Sequence, residues 1–367
     1  MVPQNLAQFN YQHFLRDRNI YLITFEDEFI TLKSSNSLIR YAETARASVI
    51  QIYKELQITN QNLAVLVALT LGDKSVLDSE LQQQYAGAMH ILAVSGLHVG
   101  IVFLIFNFLL SKLPGSLSFR IIQTITLLLV IWAFAFLAGL SPSVQLAGWM
   151  FLFVIVSKLL KRNSNVLNSI AMSAFLLLLI DPNNLFQVGF QLSYSPVIGI
   201  VLIDPVVYKL VYCPNWFVDK FWILLVVSFA AQIATLPFTL AYFHQIPNYF
   251  LLANLSLIPL AFGVVLGSVI IVSLFILFNT DFYLAQILDY LLTALNKSIL
   301  FVTEIPGDMS EGIWLNNLSI IFLVSTIVFF LVLIYYKAIR ALVLVLCFII
   351  GIQITEIVIS HKALQNK

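Results

Sequence analysis

The stretch His90-Ile-Leu-Ala-Val-Ser-Gly-Leu-His-Val-Gly100 holds the densest set of chemically capable side chains in this sequence. Ser95 and His98 stand three positions apart, a spacing that places both on one face of a helix. A serine beside a histidine is the minimum for nucleophilic hydrolysis, with Ser95 attacking and His98 as its base. Such a pair also needs an orienting third group and an oxyanion hole. Residues three apart on one helix seldom meet that geometry, and a serine in an apolar helix more often bonds its own i−4 carbonyl. Gly96 and Gly100 form a small-xxx-small pair that lets a second backbone approach. Three readings therefore stand for this segment: a hydrolytic pair, helix packing, or the lining or gate of a polar path.

Other polar residues interrupt apolar runs further along. Gln187 and Gln191 are one helical turn apart, Gln232, Thr235 and Pro237 fall together, and Asn254 precedes Pro259. His244 closes the run Tyr242-Phe-His-Gln-Ile-Pro247. Singly, amides of this kind join neighbouring helices. Together they describe a polar interior, because polar groups inside membrane spans face a bundle or a watery path. Asp289 and Lys297, eight apart, either pair or mark an interfacial helix. Cys213 and Cys347 lie far apart in apolar surroundings, without metal-ligand spacing or a disulfide framework. No His-x-His-x-Asp-His set and no Gly-x4-Gly-Lys-Ser/Thr loop occurs, so neither a metallohydrolase nor an ATP site is visible.

The elements that must position these residues are membrane helices. Hydrophobic residues make up 60% of the 367 positions and charged ones 10%, against about 25% charged in soluble domains, and mean hydropathy is +0.95. A soluble globular enzyme is excluded. The pattern predicts an all-α polytopic protein with ten spans near 90–110, 119–139, 142–160, 165–180, 185–203, 221–243, 249–278, 282–303, 317–336 and 338–359. The seventh is too long for one straight helix, and Asn254 and Pro259 predict a break there. Ahead of the spans, residues 1–35 include two short β-prone runs, 19–25 and 29–33, around Glu26-Asp27-Glu28. Residues 36–89 hold an amphipathic helix, with Leu38, Tyr41, Ala45, Val49, Ile52 and Leu56 on its apolar side. The nine-residue apolar run Leu63–Leu71 is too short to cross a ~30 Å core and predicts a re-entrant or interfacial segment. Residues 90–367 form the membrane domain.

Alternate loops collect Lys112, Arg120, Lys158, Lys161, Arg162, Lys209, Lys220, Lys337 and Arg340 on one side, and on the other only Lys362 and Lys367 at the tail, along with Asp181, Glu304, Asp308 and Glu311. The positive-inside rule makes the basic side cytoplasmic, so with ten spans both termini are extracytoplasmic.

The His90–Gly100 stretch, preceded by Ala68-Leu-Thr-Leu-Gly-Asp-Lys-Ser-Val-Leu-Asp78, resembles the signature of the ComEC competence-channel family. Two further blocks resemble that family in the same order. One is Asn165 to Gln191, with Leu179-Ile-Asp-Pro182 and Val188-Gly-Phe-Gln-Leu-Ser193; the other runs from Ala231-Gln-Ile-Ala-Thr-Leu-Pro237 through His244 to Asn254. Phe9-Asn-Tyr-Gln-His-Phe-Leu-Arg-Asp-Arg-Asn-Ile20 is similar to the end of that family's extracytoplasmic OB-fold domain, which makes residues 1–35 its expected remnant. The family's metallo-β-lactamase-like domain has no counterpart here.

The resemblance implies passage of one DNA strand across the bacterial cytoplasmic membrane during natural transformation, without enzymatic activity or cofactor. It carries over His90, Ser95, Gly96, His98, Gln191, Gln232, Pro237, His244 and Asn254 as signature positions. It implies a cytoplasmic DNA-translocating ATPase, an extracytoplasmic DNA receptor and a nuclease on another chain as partners, and leaves room for a homo-oligomer. Two departures stand out: Leu146 where the family pattern has arginine, and Ser195-Pro196 in place of an apolar pair, which predicts a kink in the fifth span. The competing readings are a transporter of another polar solute, an intramembrane serine hydrolase and a non-conducting remnant.

Overall fold

Apolar sequence becomes helix almost throughout, since a helix satisfies every backbone N–H and C=O within its own segment. The computed structural model describes residues 38–73, 76–77, 94–112, 116–161, 165–278, 282–336, 343–353 and 355. The β-prone runs and His90 lie outside these residues. In chain order the helices are α1 (Leu38–Glu55), α2 (Asn60–Leu71), α3 (Gly96–Leu110), α4 (Leu117–Leu137), α5 (Pro142–Leu159) and α6 (Val166–Ile180). They continue with α7 (Val188–Val207), α8 (Trp216–Phe243), α9 (Phe250–Phe278), α10 (Phe282–Thr303) and α11 (Asn317–Tyr336), then α12 (Val343–Gln353). Two-residue strands β1 (Ile246–Pro247) and β2 (Met309–Ser310) pair antiparallel and tie the α8–α9 connection to the α10–α11 connection.

The all-α membrane architecture stands, although not every expected span is a long apolar helix. Among the described residues six helices are long and apolar enough to cross a membrane: α4, α5, α7 with its short 3-10 extension, α8, α9 and α11. Helices α3, α6 and α12 are apolar but shorter. The 22-residue α10 is long enough but more polar, carrying Asp289, Asn296 and Lys297.

The predicted break in the seventh span is also absent. α9 runs as one helix of 29 residues with Pro259 inside it, about 43 Å at 1.5 Å per residue. That length matches the ~40–45 Å of a bilayer with its headgroups, so the extra residues need no fold-back. The 28-residue α8 similarly contains Pro237, and α7 continues through Pro196 and Pro205.

Two apolar centres carry most of the packing. In the first, α2 sits between α9 and α10, with Val65, Leu66, Val67, Ala68 and Leu69 fully buried against Leu257, Val264, Leu288 and Leu292. The helix is held by polar contacts at both ends. The Asp289 carboxylate accepts hydrogen bonds from the Thr59 N–H (3.1 Å), the Thr59 hydroxyl (3.0 Å) and Asn62 Nδ2 (2.8 Å), so α10 caps the start of α2. Asp289 thus serves α2, whereas Lys297 faces a separate groove beside Leu252 and Ser256. Near the other end, Tyr53 of α1 shares hydrogen bonds with Thr70 and Ser268. α1 and the residue after it pack through Val49, Ile52 and Leu56 as the periodicity predicts, joined by Tyr53, but Tyr41 and Ala45, expected on the same side, are exposed. The second centre joins α3, α4 and α5 through Val99, Phe103, Leu127, Ile131, Val144 and Ala147.

Candidate functional site

The helix that sequence reasoning starts at His90 starts at Gly96. Ser95 lies outside it as the N-cap in extended conformation (φ −118°, ψ 172°). Ser95 and His98 therefore do not share a helix face; they meet across the helix start. The His98 ring folds back so that Nδ1 accepts the Ser95 backbone N–H at 3.0 Å and lies 3.0 Å from Ser95 Oγ. This is the geometry of a capping box, with histidine in the place usually taken by Glu or Gln. A neutral imidazole that accepts at Nδ1 carries its hydrogen on Nε2. His98 is 3% exposed, and Nε2 has no hydrogen-bond partner among the described residues.

Distance alone would permit Ser95 and His98 to act as nucleophile and base. The chemistry is less favourable, because the Nδ1 lone pair is already engaged by a backbone N–H and no described carboxylate orients the ring from Nε2.

Helices α3, α5 and α7 run parallel and begin at one end of the bundle. A Cβ on Gly96 would lie 3.5 Å from the Ala147 Cβ and 3.9 Å from the Ser143 carbonyl, and one on Gly100 would touch Phe151. Gly189 of α7 packs on Pro142 of α5, and Ser143 Oγ meets Ser193 Oγ at 2.7 Å. The small residues thus act as the small-xxx-small pattern implies, by allowing close approach at this end. Gln191 donates from Nε2 to the Leu185 carbonyl at 2.9 Å, while its Oε1 is buried without a partner among the described residues. Gln187 is the N-cap residue of α7. The Ser141 and Ser195 hydroxyls are also buried and have no partner among the described residues. Sequence reasoning missed Ser141, Ser143 and Ser193 as parts of one group. The available signal was Ser141-Pro142, a capping serine followed by proline in the first helical position.

The second half of the expected set lies elsewhere. Pro237 is buried within α8, and Gln232 and Asn254 make no side-chain hydrogen bond among the described residues. His244 adopts the left-handed conformation (φ 56°) that ends α8 and stacks on Trp314 with ring centroids 3.7 Å apart. The Ile313 N–H donates to the His244 carbonyl at 3.0 Å, and Asn248 Nδ2 donates to the Gly307 carbonyl and to Ser310. These loops form a braced structure at the end where α3, α5 and α7 begin, but no hydrogen bond joins His244 to His98. Trp314 is half exposed and carried no sequence signal.

Leu146 is 3% exposed and packs with Ile170, Leu177, Phe190 and Tyr194 between α5, α6 and α7. No cation is needed in that cluster. A cation does lie at the same end of the bundle: Arg46 of α1 donates from Nε to the Leu137 carbonyl at 2.9 Å, closing the C-terminus of α4. Among the described residues no group of His, Cys, Asp or Glu is placed to hold a metal ion.

The chain is 29% identical over 247 residues to "ComE operon protein 3" of Bacillus subtilis (strain 168), a match covering 66% of this chain and 30% of that protein. It is 32% identical over 143 residues to an uncharacterized protein of Aquifex aeolicus (strain VF5), covering 38% of this chain and 33% of that one. Each match thus spans about a third of the relative's length. No solved structure gives a significant match. The family model described as "Competence protein" matches residues 69–340, a range that takes in α3 to α11 with both the helix-start cluster and the His244–Trp314 brace, and this multi-pass membrane chain belongs to that family.

Proposed function

We propose that this chain is the membrane core of a conduit that passes single-stranded DNA across the cytoplasmic membrane during natural transformation. The observation that carries the reading is a set of polar groups at His98, Ser141 and Gln191, buried without a partner among the described residues near the starts of α3, α5 and α7, inside a bundle whose long helices are otherwise apolar. Phosphates do not cross hydrocarbon, so a strand needs polar groups at membrane depth that bind weakly enough to release it. Membership of the competence family, and similarity to a protein of the ComE operon, favour DNA over another polar solute.

The helix-start end carries Asp181, Glu304, Asp308 and Glu311 in its connections, whereas Lys112, Lys161 and Lys209 fall at the opposite end. The positive-inside rule makes the helix-start end extracytoplasmic and the basic end cytoplasmic. In this orientation an external receptor delivers DNA to the helix starts, a nuclease on another chain leaves one strand, and a cytoplasmic ATPase draws it through. The chain itself acts without cofactor and without catalysis.

The test is entry of fluorescently labelled DNA into the cytosol of competent cells that lack their own channel. Uptake restored by this chain and lost in His98→Ala, at equal membrane levels, supports the conduit. Absence of uptake even with the outer domains supplied in trans refutes it.

A further inference from the structure

We propose that the groove between α9 and α10 binds an anionic phospholipid, with the Lys297 ammonium on its phosphate and a hydrocarbon chain along the apolar wall. The two helices run antiparallel, with Gly263 packing on Leu291 and Gly267 on Leu288. Between them, towards the end tied by β1 and β2, lies a groove of about 340 Å³ whose lining includes Lys297, Ser256, Ser298, Leu252, Phe301 and Val302. It faces outward. The exposed residues Tyr283, Ile287, Tyr290, Lys297 and Phe301 follow one stripe of α10, and Lys297 is its one charged member. Ionisable residues in membrane helices ordinarily turn into the bundle and pair there. Lys297 does neither, since it is exposed and makes no hydrogen bond or ion pair among the described residues.

Depth and charge select the occupant. A bilayer of ~40–45 Å has ~30 Å of hydrocarbon, so the outer ~5–7 Å at each end of α9 lies among headgroups. Ser256 is six residues from the start of α9 and Lys297 six from the end of α10, about 9 Å in each case. The groove thus reaches just inside the hydrocarbon boundary, where a lysine stem brings its ammonium to a lipid phosphate. The Ser256 and Ser298 hydroxyls donate to the Ala253 and Ala294 carbonyls at 3.1 and 2.8 Å, which leaves their oxygens as acceptors. One cationic donor with two acceptors matches a headgroup that joins a phosphate to free hydroxyls, as in phosphatidylglycerol, while Leu252, Phe301 and Val302 suit a chain. A nucleic-acid strand fits less well. It carries a charge at every nucleotide, and the α10–α11 connection beside the groove holds Glu304, Asp308 and Glu311. The inference does not rest on the conduit reading.

The purified full chain, in neutral detergent, is titrated with phosphatidylglycerol and with phosphatidylethanolamine of the same chains. Competitors are glycerophosphoglycerol, which is the headgroup without chains, and oligothymidylate. Native mass spectrometry reads bound lipid and oligomeric state together. Lys297→Met removes the charge at nearly the same length, Lys297→Arg keeps it, and Lys209→Met removes a lysine at the opposite end of the bundle. Wild type, Lys297→Arg and Lys209→Met should bind phosphatidylglycerol alike. Lys297→Met should bind it about fivefold more weakly, the weight of one lysine at a membrane surface. Phosphatidylethanolamine should bind weakly, and equally to wild type and Lys297→Met. Ser298→Leu, which fills the groove with the charge in place, should weaken phosphatidylglycerol binding in the same direction and decides the matter if Lys297→Met does not accumulate.

Equal phosphatidylglycerol binding by wild type and Lys297→Met overturns the inference, as does an equal loss in Lys209→Met. Phosphatidylethanolamine bound by wild type as tightly as phosphatidylglycerol makes the groove ordinary lipid-facing surface. Displacement by glycerophosphoglycerol makes it a free-anion site, displacement by oligothymidylate makes it part of a strand's path, and a dimer that Lys297→Met dissociates makes it an interface between copies of this chain. Each of these also overturns the inference, whereas DNA uptake remains the separate test of the conduit reading.

Discussion

Gly199 sits at the closest approach of α7 and α8, and Gly199→Ala turns that approach into a measurable quantity. A Cβ at position 199 would lie 2.3 Å from the Ala234 Cβ and 2.7 Å from the Ala230 carbonyl oxygen. Carbon atoms in van der Waals contact stand ~3.5–4.0 Å apart, so the two helices must part by about 1.2 Å along this line. Neither neighbour can swing aside, because one is a methyl fixed to the backbone and the other is backbone itself. The cost therefore falls at the upper end of that for overpacked cores, about 3 kcal/mol, roughly a hundredfold in the folding equilibrium. Gly263→Ala is the control, since its new methyl would meet only Leu291 Cδ1 at 3.6 Å. Reversible unfolding in bicelles should show Gly199→Ala strongly destabilised and Gly263→Ala close to wild type. Adding Ala234→Gly removes the 2.3 Å clash but leaves the carbonyl, so the double variant should recover only part of the loss, about 1–1.5 kcal/mol. A Gly199→Ala protein within ~0.5 kcal/mol of wild type, or a double variant no more stable than the single one, would refute this account of the α7–α8 contact.

Two further outcomes follow from particular contacts. Asp289→Ala should destabilise by about 1–2 kcal/mol, because it removes the cap of α2, while Asn62 Nδ2 keeps the Thr293 hydroxyl and the backbone carbonyl of residue 289 as acceptors; hydrogen exchange should quicken across residues 60–71, Lys297→Ala should leave it unchanged, and equal effects of the two would mean that Asp289 serves Lys297 after all. Leu146→Arg, which introduces the arginine expected from the family resemblance, should lower the amount of folded protein in the membrane by about 2–3 kcal/mol of stability, since position 146 is enclosed by Ile170, Leu177, Phe190 and Tyr194; uptake that improves with undiminished membrane levels would show that the cluster opens to a polar path.

What could be read from the sequence was decided by interactions within one helix, and what could not was decided by interactions between helices. Helices α4, α8 and α11 follow from their apolar runs alone, and α6 is bracketed by visible signals: the Asn165 side chain caps its first turn and Asp181 follows its last. The proline rule failed at Pro259, because a freed carbonyl and a local clash are penalties of one helix, and α9 is held continuous by its neighbours α2 and α10 along one side. Ser95 and His98 were correctly paired for the wrong reason. Helical spacing put them on a common face, whereas the chain places the serine before the helix and bends the histidine back to it, a capping arrangement that Ser-x-x-His shares with Ser-x-x-Glu. The orphan Nε2 follows from that bend, since a ring committed to the backbone at Nδ1 can turn only its other nitrogen elsewhere. The contact between Ser143 and Ser193, fifty positions apart, and the capping of α2 by Asp289 across 230 positions have no local signature at all. A polar residue in an apolar run announces that it has a partner, and only the fold says which. Ser141, His98 and Gln191 are informative because the fold leaves at least one polar atom of each without one among the described residues, near the starts of α5, α3 and α7.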